Sequence, residues 1–169
     1  MIKRNIDLFI INTSAVLVGI LFYYLIDKKI ELSIAIIAGG LSLAFGLRQY
    51  KIENDKIFKE LFTMFNEKYD KKFNDTLNKI DIEFKSKGKY DLSIEEKKLV
   101  IDYFNLCAEE YLWYTKERID EEVWNAWEIG IKYFINLEPI RKVAKSEREV
   151  KESYYGLFEK LDINFLDEK

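Results

Sequence analysis

The stretch LFIINTSAVLVGILFYYLI, residues 8–26, contains no charged side chain and is the strongest indication of how the chain folds. A helix of this length spans about 28 Å, which is close to the thickness of the hydrocarbon core of a bilayer. A second uncharged stretch, LSIAIIAGGLSLAFGL at residues 32–47, spans about 24 Å and reaches further if Glu31 and Arg48 extend toward the lipid head groups. We therefore expect residues 1–47 to form a transmembrane helical hairpin.

Positive charges around the two apolar stretches predict how the hairpin crosses the membrane. The connection at residues 27–31 carries two lysines, whereas six basic residues flank the outer ends: Lys3, Arg4, Arg48, Lys51, Lys56 and Lys59. Lysine and arginine are favoured on the cytoplasmic side of a membrane. We expect a multi-pass membrane protein with both termini in the cytoplasm.

Two alternatives to a membrane hairpin are a signal peptide and a buried hairpin of a soluble protein. A signal peptide needs a cleavage site of small residues, and no clear one precedes the connection at residues 27–31. A helix packed on a soluble core needs only one apolar stripe, whereas residues 8–26 are apolar on all sides. Both observations favour the membrane hairpin.

Small residues recur at helical spacing in both apolar stretches. Ala15 and Gly19 lie four residues apart in the first stretch. The second carries four small residues on one helix face: Ala35, Gly39, Ser42 and Gly46. Such faces let membrane helices approach closely. We predict that these six residues pack membrane helices, either within the hairpin or between copies of the chain in a homo-oligomer.

Beyond residue 47 the sequence predicts helices throughout, so the expected fold class is all-α. Residues 48–169 contain a single proline, Pro139, and apolar residues recur every three or four positions from Phe58 to Phe84. No helix breaker separates this run from the second apolar stretch. We expect a juxtamembrane stalk helix over residues 48–85 that continues the membrane helix. Its apolar face packs either against a core or against other copies of the stalk.

A loop around Gly88 separates the stalk from a predicted helical domain over residues 93–169, with about four helices. Ser93 followed by Glu96 predicts a capping box at the start of the first helix. Asp120 predicts the cap of the next helix, and Pro139 the beginning of another. The apolar spacing of residues 147–161 predicts a final amphipathic helix.

The absence of some residue types excludes several kinds of site. Without histidine the chain has no Ser-His-Asp triad and no histidine metal site, and one cysteine excludes internal disulfides and multi-cysteine metal sites. Cys107 lies on an apolar stripe, which predicts a buried, inert thiol. A net charge of −3 argues against a general nucleic-acid binder. Phosphate-binding glycine loops are also absent. We expect a non-enzymatic protein without cofactor or metal.

Two groups of side chains remain as candidates for chemistry. Carboxylates at Glu109-Glu110, Asp120-Glu121-Glu122 and Glu128 predict solvated helix faces, with a carboxylate magnesium site as the alternative. Aromatic residues are dense in residues 103–134, which a wide core between helices would explain. Aromatic rings beside arginines can also form the centre of an interface or stack on a base. We therefore predict Trp113, Arg118 and Arg141 as a candidate surface for a partner or a small anionic ligand.

The run VIDYFNLCAEEYLWYTKERIDEEVWNAWEIGIKYF, residues 100–134, resembles small bacterial membrane proteins of unknown function. In those proteins a short membrane segment precedes a helical cytoplasmic domain. The resemblance rests on Tyr103-Phe104-Asn105, Glu109-Glu110-Tyr111, Ile119, Trp124 and Trp127. The similar proteins tend to carry glycine in the turn where this chain has Glu117 and Arg118. The resemblance implies this order of elements and a place in the bacterial inner membrane, but it implies no activity and no catalytic residues.

Some two-span proteins of similar build look like effectors of bacterial antiviral systems, in which a cytoplasmic sensor triggers damage to the inner membrane. By analogy with that architecture, we expect the helical domain to sense a signal and to act through the hairpin. The expected partners are membrane lipid, other copies of the chain, and a cytoplasmic protein or small signal, without nucleic acid. The alternative is a passive membrane anchor or scaffold that recruits a cytoplasmic partner protein.

Overall fold

The computed structural model describes residues 3–25, 30–148 and 153–161, and almost all of them are helical. The α-helices are α1 (Lys3–Leu25), α2 (Ile30–Lys68), α3 (Asn74–Lys87), α4 (Ile94–Thr115), α5 (Glu121–Ile135), α6 (Glu138–Arg148) and α7 (Leu157–Lys160). A π-helical turn, Tyr69–Phe73, joins α2 to α3, and a 3-10 turn, Ser153–Gly156, precedes α7. No strand occurs in these described ranges, and the predicted all-α class is confirmed.

The chain forms two compact units, residues 1–56 and residues 57–169. The point of division falls inside α2, which is helical from Ile30 to Lys68. The expected continuation of helical backbone past residue 47 is therefore confirmed. The predicted limits of hairpin, stalk and domain, residues 1–47, 48–85 and 93–169, stay predictions.

Small residues make the helix contacts of the first unit. A Cβ atom added to Gly19 on α1 would lie 2.6 Å from Ile37 Cγ1 and 3.2 Å from the Ser33 carbonyl oxygen on α2. A Cβ atom added to Gly40 would overlap the Cβ atom of Ala15. The approach of α1 to α2 therefore requires glycine at both positions.

One helix of the described residues, which begins at Ile30, is long and apolar enough to cross a membrane by length and composition. The core helix of a soluble protein would be mostly buried, but only 11% of this 18-residue apolar window is buried. A signal sequence would satisfy the same criterion. The described apolar part of α1, Phe9–Leu25, has 17 residues. The predicted connection at residues 27–31 lies largely outside the described residues.

An apolar core fills the second unit. Helix α4 packs against α5, α6, α7 and both short turns. The largest fully buried side chains of the core are Phe65, Leu77, Ile80, Val100, Phe104, Cys107, Trp124, Ile135, Ile140, Leu157 and Leu161. Burial raises the pKa of the Cys107 thiol well above its ordinary value, which keeps the group protonated. The predicted buried thiol is confirmed.

The helix starts of this unit follow local sequence signals. Ser93 Oγ accepts a hydrogen bond from the Glu96 amide at 3.1 Å, and the Ser93 amide donates one to Glu96 Oε2 at 2.9 Å, so the capping box is confirmed. Pro139 lies in the first turn of α6, as predicted. Asp120 precedes α5 at the cap position, although its side chain accepts no capping hydrogen bond from any described residue.

The end of the chain departs from the predicted amphipathic helix over residues 147–161. Helix α6 ends at Arg148, and residues 149–152 lie outside the described part. Tyr154 and Tyr155 have φ values of +61° and +53°, and Gly156 has +82°. A right-handed helix cannot contain residues in this left-handed region, so the prediction of one continuous helix is wrong. The apolar spacing reflected burial, as at Leu157 and Leu161, rather than an unbroken backbone.

Candidate functional site

A cavity of about 180 Å³ lies in the second unit, between four of its helical elements. Its lining comes from α2 (Phe65, Asn66), the π-helical turn (Tyr69), α4 (Tyr103, Glu110) and α5 (Ala126, Trp127, Gly130, Ile131, Phe134). Half of these ten residues are aromatic, and one is a carboxylic acid. We refer to this space as the Glu110 cavity.

Helical spacing explains how Glu110 reaches the cavity. Tyr103, Cys107, Glu110 and Tyr114 follow one another at steps of four, three and four, which places them on one face of α4. That face packs against the core, so Glu110 occupies a position at which an apolar residue would be expected. Its neighbour Glu109 lies off this face, and half of its side chain is exposed.

The expectation that Glu109 and Glu110 share a solvated helix face is wrong for Glu110, which is only 7% exposed. The adjacent acidic residues suggested a charged surface. The spacing from Tyr103 was the signal in the sequence that could have identified Glu110 as a core position. The burial itself depends on α2 and α5, which cover this face of α4 from distant parts of the chain.

The surroundings of Glu110 favour its protonated form. Burial raises the pKa of the Glu110 carboxyl to about 8, the negative charge of Glu109 adds to the rise, and the positive charge of Lys68 opposes it. Lys68 Nζ lies 3.5 Å from Glu109 Oε2. Among the residues that the structure describes, none forms a hydrogen bond or an ion pair with the Glu110 carboxyl.

Aromatic residues share the lining of this cavity with Glu110. The Trp127 ring stacks on Phe62 at 5.8 Å between centroids and meets Phe65 edge to face at 5.9 Å. The centroid of the Tyr103 ring lies 6.2 Å from that of the Tyr69 ring and 6.3 Å from that of the Phe134 ring. Because the face of an aromatic ring carries partial negative charge, these rings and the carboxyl create an environment that attracts positive charge.

The predicted partner surface is spread over two parts of the second unit. Trp113 packs partly against the core, and its carbonyl oxygen accepts a hydrogen bond from the Arg118 amide at 3.0 Å. The structure thus brings Trp113 and Arg118 together at the turn between α4 and α5. Arg141 lies on α6 and is half-buried. The role of these three residues in binding a partner or an anion stays a prediction.

The small residues predicted to pack membrane helices fall into two groups. Ala15 and Gly19 face α2, where they contact Gly40 and Ile37. The other four are exposed on α2: Ala35, Gly39, Ser42 and Gly46. A Cβ atom at Gly39 or Gly46 would meet no described atom within 4 Å. Because Gly40 rather than Gly39 meets α1, packing by the exposed group stays a prediction.

No cluster of three or more aspartate, glutamate or cysteine side chains that could hold a metal ion occurs in the described residues. The predictions that the protein has no catalytic residue and no cofactor stay predictions.

Comparison with protein-family models, curated proteins and solved structures finds no match for this chain. The resemblance of residues 100–134 to small bacterial membrane proteins therefore stays a prediction. Any function has to be inferred from the chemistry of the two units themselves.

Proposed function

We propose that this chain is a non-enzymatic membrane protein whose helical unit binds a signal or partner and acts through a two-span hairpin of residues 1–47. The observation that carries the proposal is the apolar exterior of α1 and the beginning of α2, where side chains such as Phe45, 70% exposed, point away from the protein. Large exposed apolar patches on a protein mark surfaces that another apolar medium covers. Lipid is that medium here.

In the proposed topology, both spans cross the bacterial inner membrane and both termini face the cytoplasm. The excess of basic residues at the outer ends of the two spans supports this orientation. The exposed small residues of α2, Gly39 among them, suit close packing against a second copy of the chain. The proposed protein is therefore a homo-oligomer in the membrane.

A link between signal and membrane is provided by α2. This helix contains the apolar window, and it also supplies Phe65 and Asn66 to the Glu110 cavity. A ligand that repacks these two side chains would act on the helix that carries the membrane segment. The most specific form of the proposal is an effector of antiviral defence that damages the membrane when its signal arrives, and it is supported by architecture alone.

Thiol labelling of intact cells tests the topology. In a Cys107→Ala background, Lys28→Cys should react with a membrane-impermeant maleimide from outside, because it lies in the connection between the spans. Lys59→Cys is the matched control and should react only after the cells are permeabilised. Labelling of both positions in intact cells, or of neither position before permeabilisation, would contradict the topology.

The effector form is tested by inducible expression in bacteria with a membrane-potential dye, with and without phage infection. Depolarisation that requires the full chain supports the effector, whereas an unchanged potential under every condition removes it. Co-purification from mild detergent tests the alternative, a passive scaffold. In a scaffold, the half-buried Trp113 beside Arg118 would be the docking point for the partner protein. A stoichiometric partner protein supports the scaffold, and a homo-oligomer alone supports the effector.

A further inference from the structure

Glu110 is more than nine-tenths buried, it lines the cavity, and its carboxyl has no ion-pair or hydrogen-bond partner among the described residues. Burying an ionisable group without a partner costs free energy. The packing of α4 does not require a carboxyl here, because the same face carries Tyr103 and Cys107 at equivalent steps. The group therefore needs an explanation other than stability.

We propose that the Glu110 cavity binds a small organic cation, whose ammonium group pairs with the Glu110 carboxylate and packs against the rings of Trp127 and Phe65. A carboxylate gives the cation its counter-charge, and aromatic faces replace part of its hydration shell. A bare metal ion fits less well, because magnesium and calcium take six or more oxygen ligands and this lining is mostly hydrocarbon. The positive charge must belong to the ligand, since Lys68 pairs with Glu109.

The volume of the cavity and the position of its entrance define the class of cation more closely. An apolar cavity of roughly 150 Å³ holds one benzene molecule, so about 180 Å³ accommodates an amine that carries a single ring or a compact alkyl group. Ala126 and Gly130 are exposed at the edge of the lining, and a Cβ atom at Gly130 would meet no described atom within 4 Å. This edge is the expected entrance.

Binding is expected to release a proton. The Glu110 carboxyl, with its pKa of about 8, is mostly protonated near neutral pH, and it must ionise to pair with the ammonium group. The ionisable groups around it are Glu109, Tyr103 and Cys107 on α4, Lys68 on α2 and Tyr69 in the π-helical turn. The α5 residues of the lining carry no ionisable group. Affinity should rise about tenfold per pH unit up to about pH 8 and then level off.

Benzylammonium and benzyl alcohol form a matched pair of probes, since they share one ring and differ in charge. Titration into the full chain in detergent is followed by calorimetry and by tryptophan fluorescence, which Trp127 supplies at the cavity. We expect benzylammonium to bind at least tenfold more tightly than benzyl alcohol at about pH 8. Calorimetry near pH 7 in two buffers with different ionisation enthalpies should show a proton released.

Three variants locate the binding. Glu110→Gln keeps the shape of the side chain and should remove the preference for benzylammonium, while Glu122→Gln, an exposed glutamate on α5 outside the cavity lining, should change affinity by no more than about twofold. Gly130→Leu should block the entrance and abolish binding of both probes. It adds its side chain at the exposed edge and leaves the core intact, so it tests the cavity even if Glu110→Gln alters folding.

Equal affinity for the two probes, no binding of benzylammonium, or unchanged preference in Glu110→Gln would each overturn the inference. The inference deepens the proposed function and rests on it for the biological use of the ligand, because it names the class of signal. The binding measurement itself needs no membrane. Failure of the topology test would therefore leave this result standing, and failure of binding would leave the membrane hairpin in place.

Discussion

In the described part of residues 1–56 the large apolar side chains face outward and the smallest residues make the helix contacts, whereas in the described part of residues 57–169 the arrangement is reversed. Phe45 is exposed on α2, while Gly19 is buried between helices. In the second unit Trp124 and Phe104 are fully buried, and the surface carries ion pairs such as Lys72 with Asp102 at 2.7 Å.

In the proposed membrane topology, the reversal follows from the medium around each unit. Water drives large apolar side chains together, because their burial removes apolar surface from water. Lipid is as apolar as leucine, so helices in a membrane gain from close approach rather than from hiding side chains, and close approach needs small residues. The same chain thus satisfies two opposite rules on either side of residue 56.

The largest expected effect is the loss of stability when a buried aromatic residue of the second unit is truncated. Trp124 is fully buried, stacks on Tyr114 at 5.1 Å and donates a hydrogen bond from Nε1 to Glu128 Oε2 at 2.8 Å. Trp124→Ala should lower the free energy of unfolding by about 3–5 kcal/mol. Urea unfolding followed by fluorescence measures it, because all three tryptophans lie in this unit. Ile129→Ala, an exposed site on the same helix, should change it by less than about 0.5 kcal/mol.

The next effect concerns Glu110, a buried carboxyl in a unit whose charged side chains mostly lie at the surface. The pKa of Glu110 is about 8 in the folded state and near 4.5 in the unfolded chain, so the folded state holds an extra proton between these values. The stability that this proton contributes is fully present below the pKa of the unfolded chain. It is lost as the pH rises through the pKa of the folded state. Between about pH 5 and pH 8 this loss is roughly 3 kcal/mol. Glu110→Gln should remove that slope from urea unfolding curves, and an unchanged slope would contradict the burial of an ionisable group.

A smaller loss of stability is expected when the close approach of α1 to α2 in the first unit is disrupted. Gly40→Leu should force α1 and α2 apart, because even a Cβ atom there overlaps Ala15, at a cost of about 1–3 kcal/mol. Gly39→Leu is the adjacent control and should leave the hairpin intact. The far-ultraviolet helical signal in detergent should be lost at lower denaturant concentration in Gly40→Leu alone, with the tryptophan transition unchanged. Equal loss in both variants would contradict the described contact.

The smallest effect sharpens the contrast in how the two units use glycine. Glu117, in the turn after α4, has a φ value of +56°, a conformation that favours glycine for backbone reasons rather than for close approach. Glu117→Gly should stabilise the second unit by up to about 1 kcal/mol. Ala126→Gly, on the regular helix α5, should instead destabilise it by about 1 kcal/mol. The same urea curves measure both, and destabilisation by Glu117→Gly would refute the strain at this turn.

Much of the fold was predictable because it depends on neighbours within one or two helical turns. The capping box at Ser93 and Glu96, the proline start of α6 and the helix that continues past residue 47 are all set by residues three or four positions apart. The break at Tyr154 and Tyr155 was not predictable in this way, since no proline marks it and the apolar spacing runs through it.

The sequence by itself determined two apolar stretches, an all-helical chain and the exclusion of histidine chemistry, because composition and helical periodicity are local properties. Only the tertiary structure decided that Gly40 rather than Gly39 meets α1 and that the buried Glu110 borders a cavity. Adjacent residues on a helix point about 100° apart, so one position separates solvent from core. Which of two neighbours faces inward depends on where other helices pack, and those helices come from distant parts of the chain.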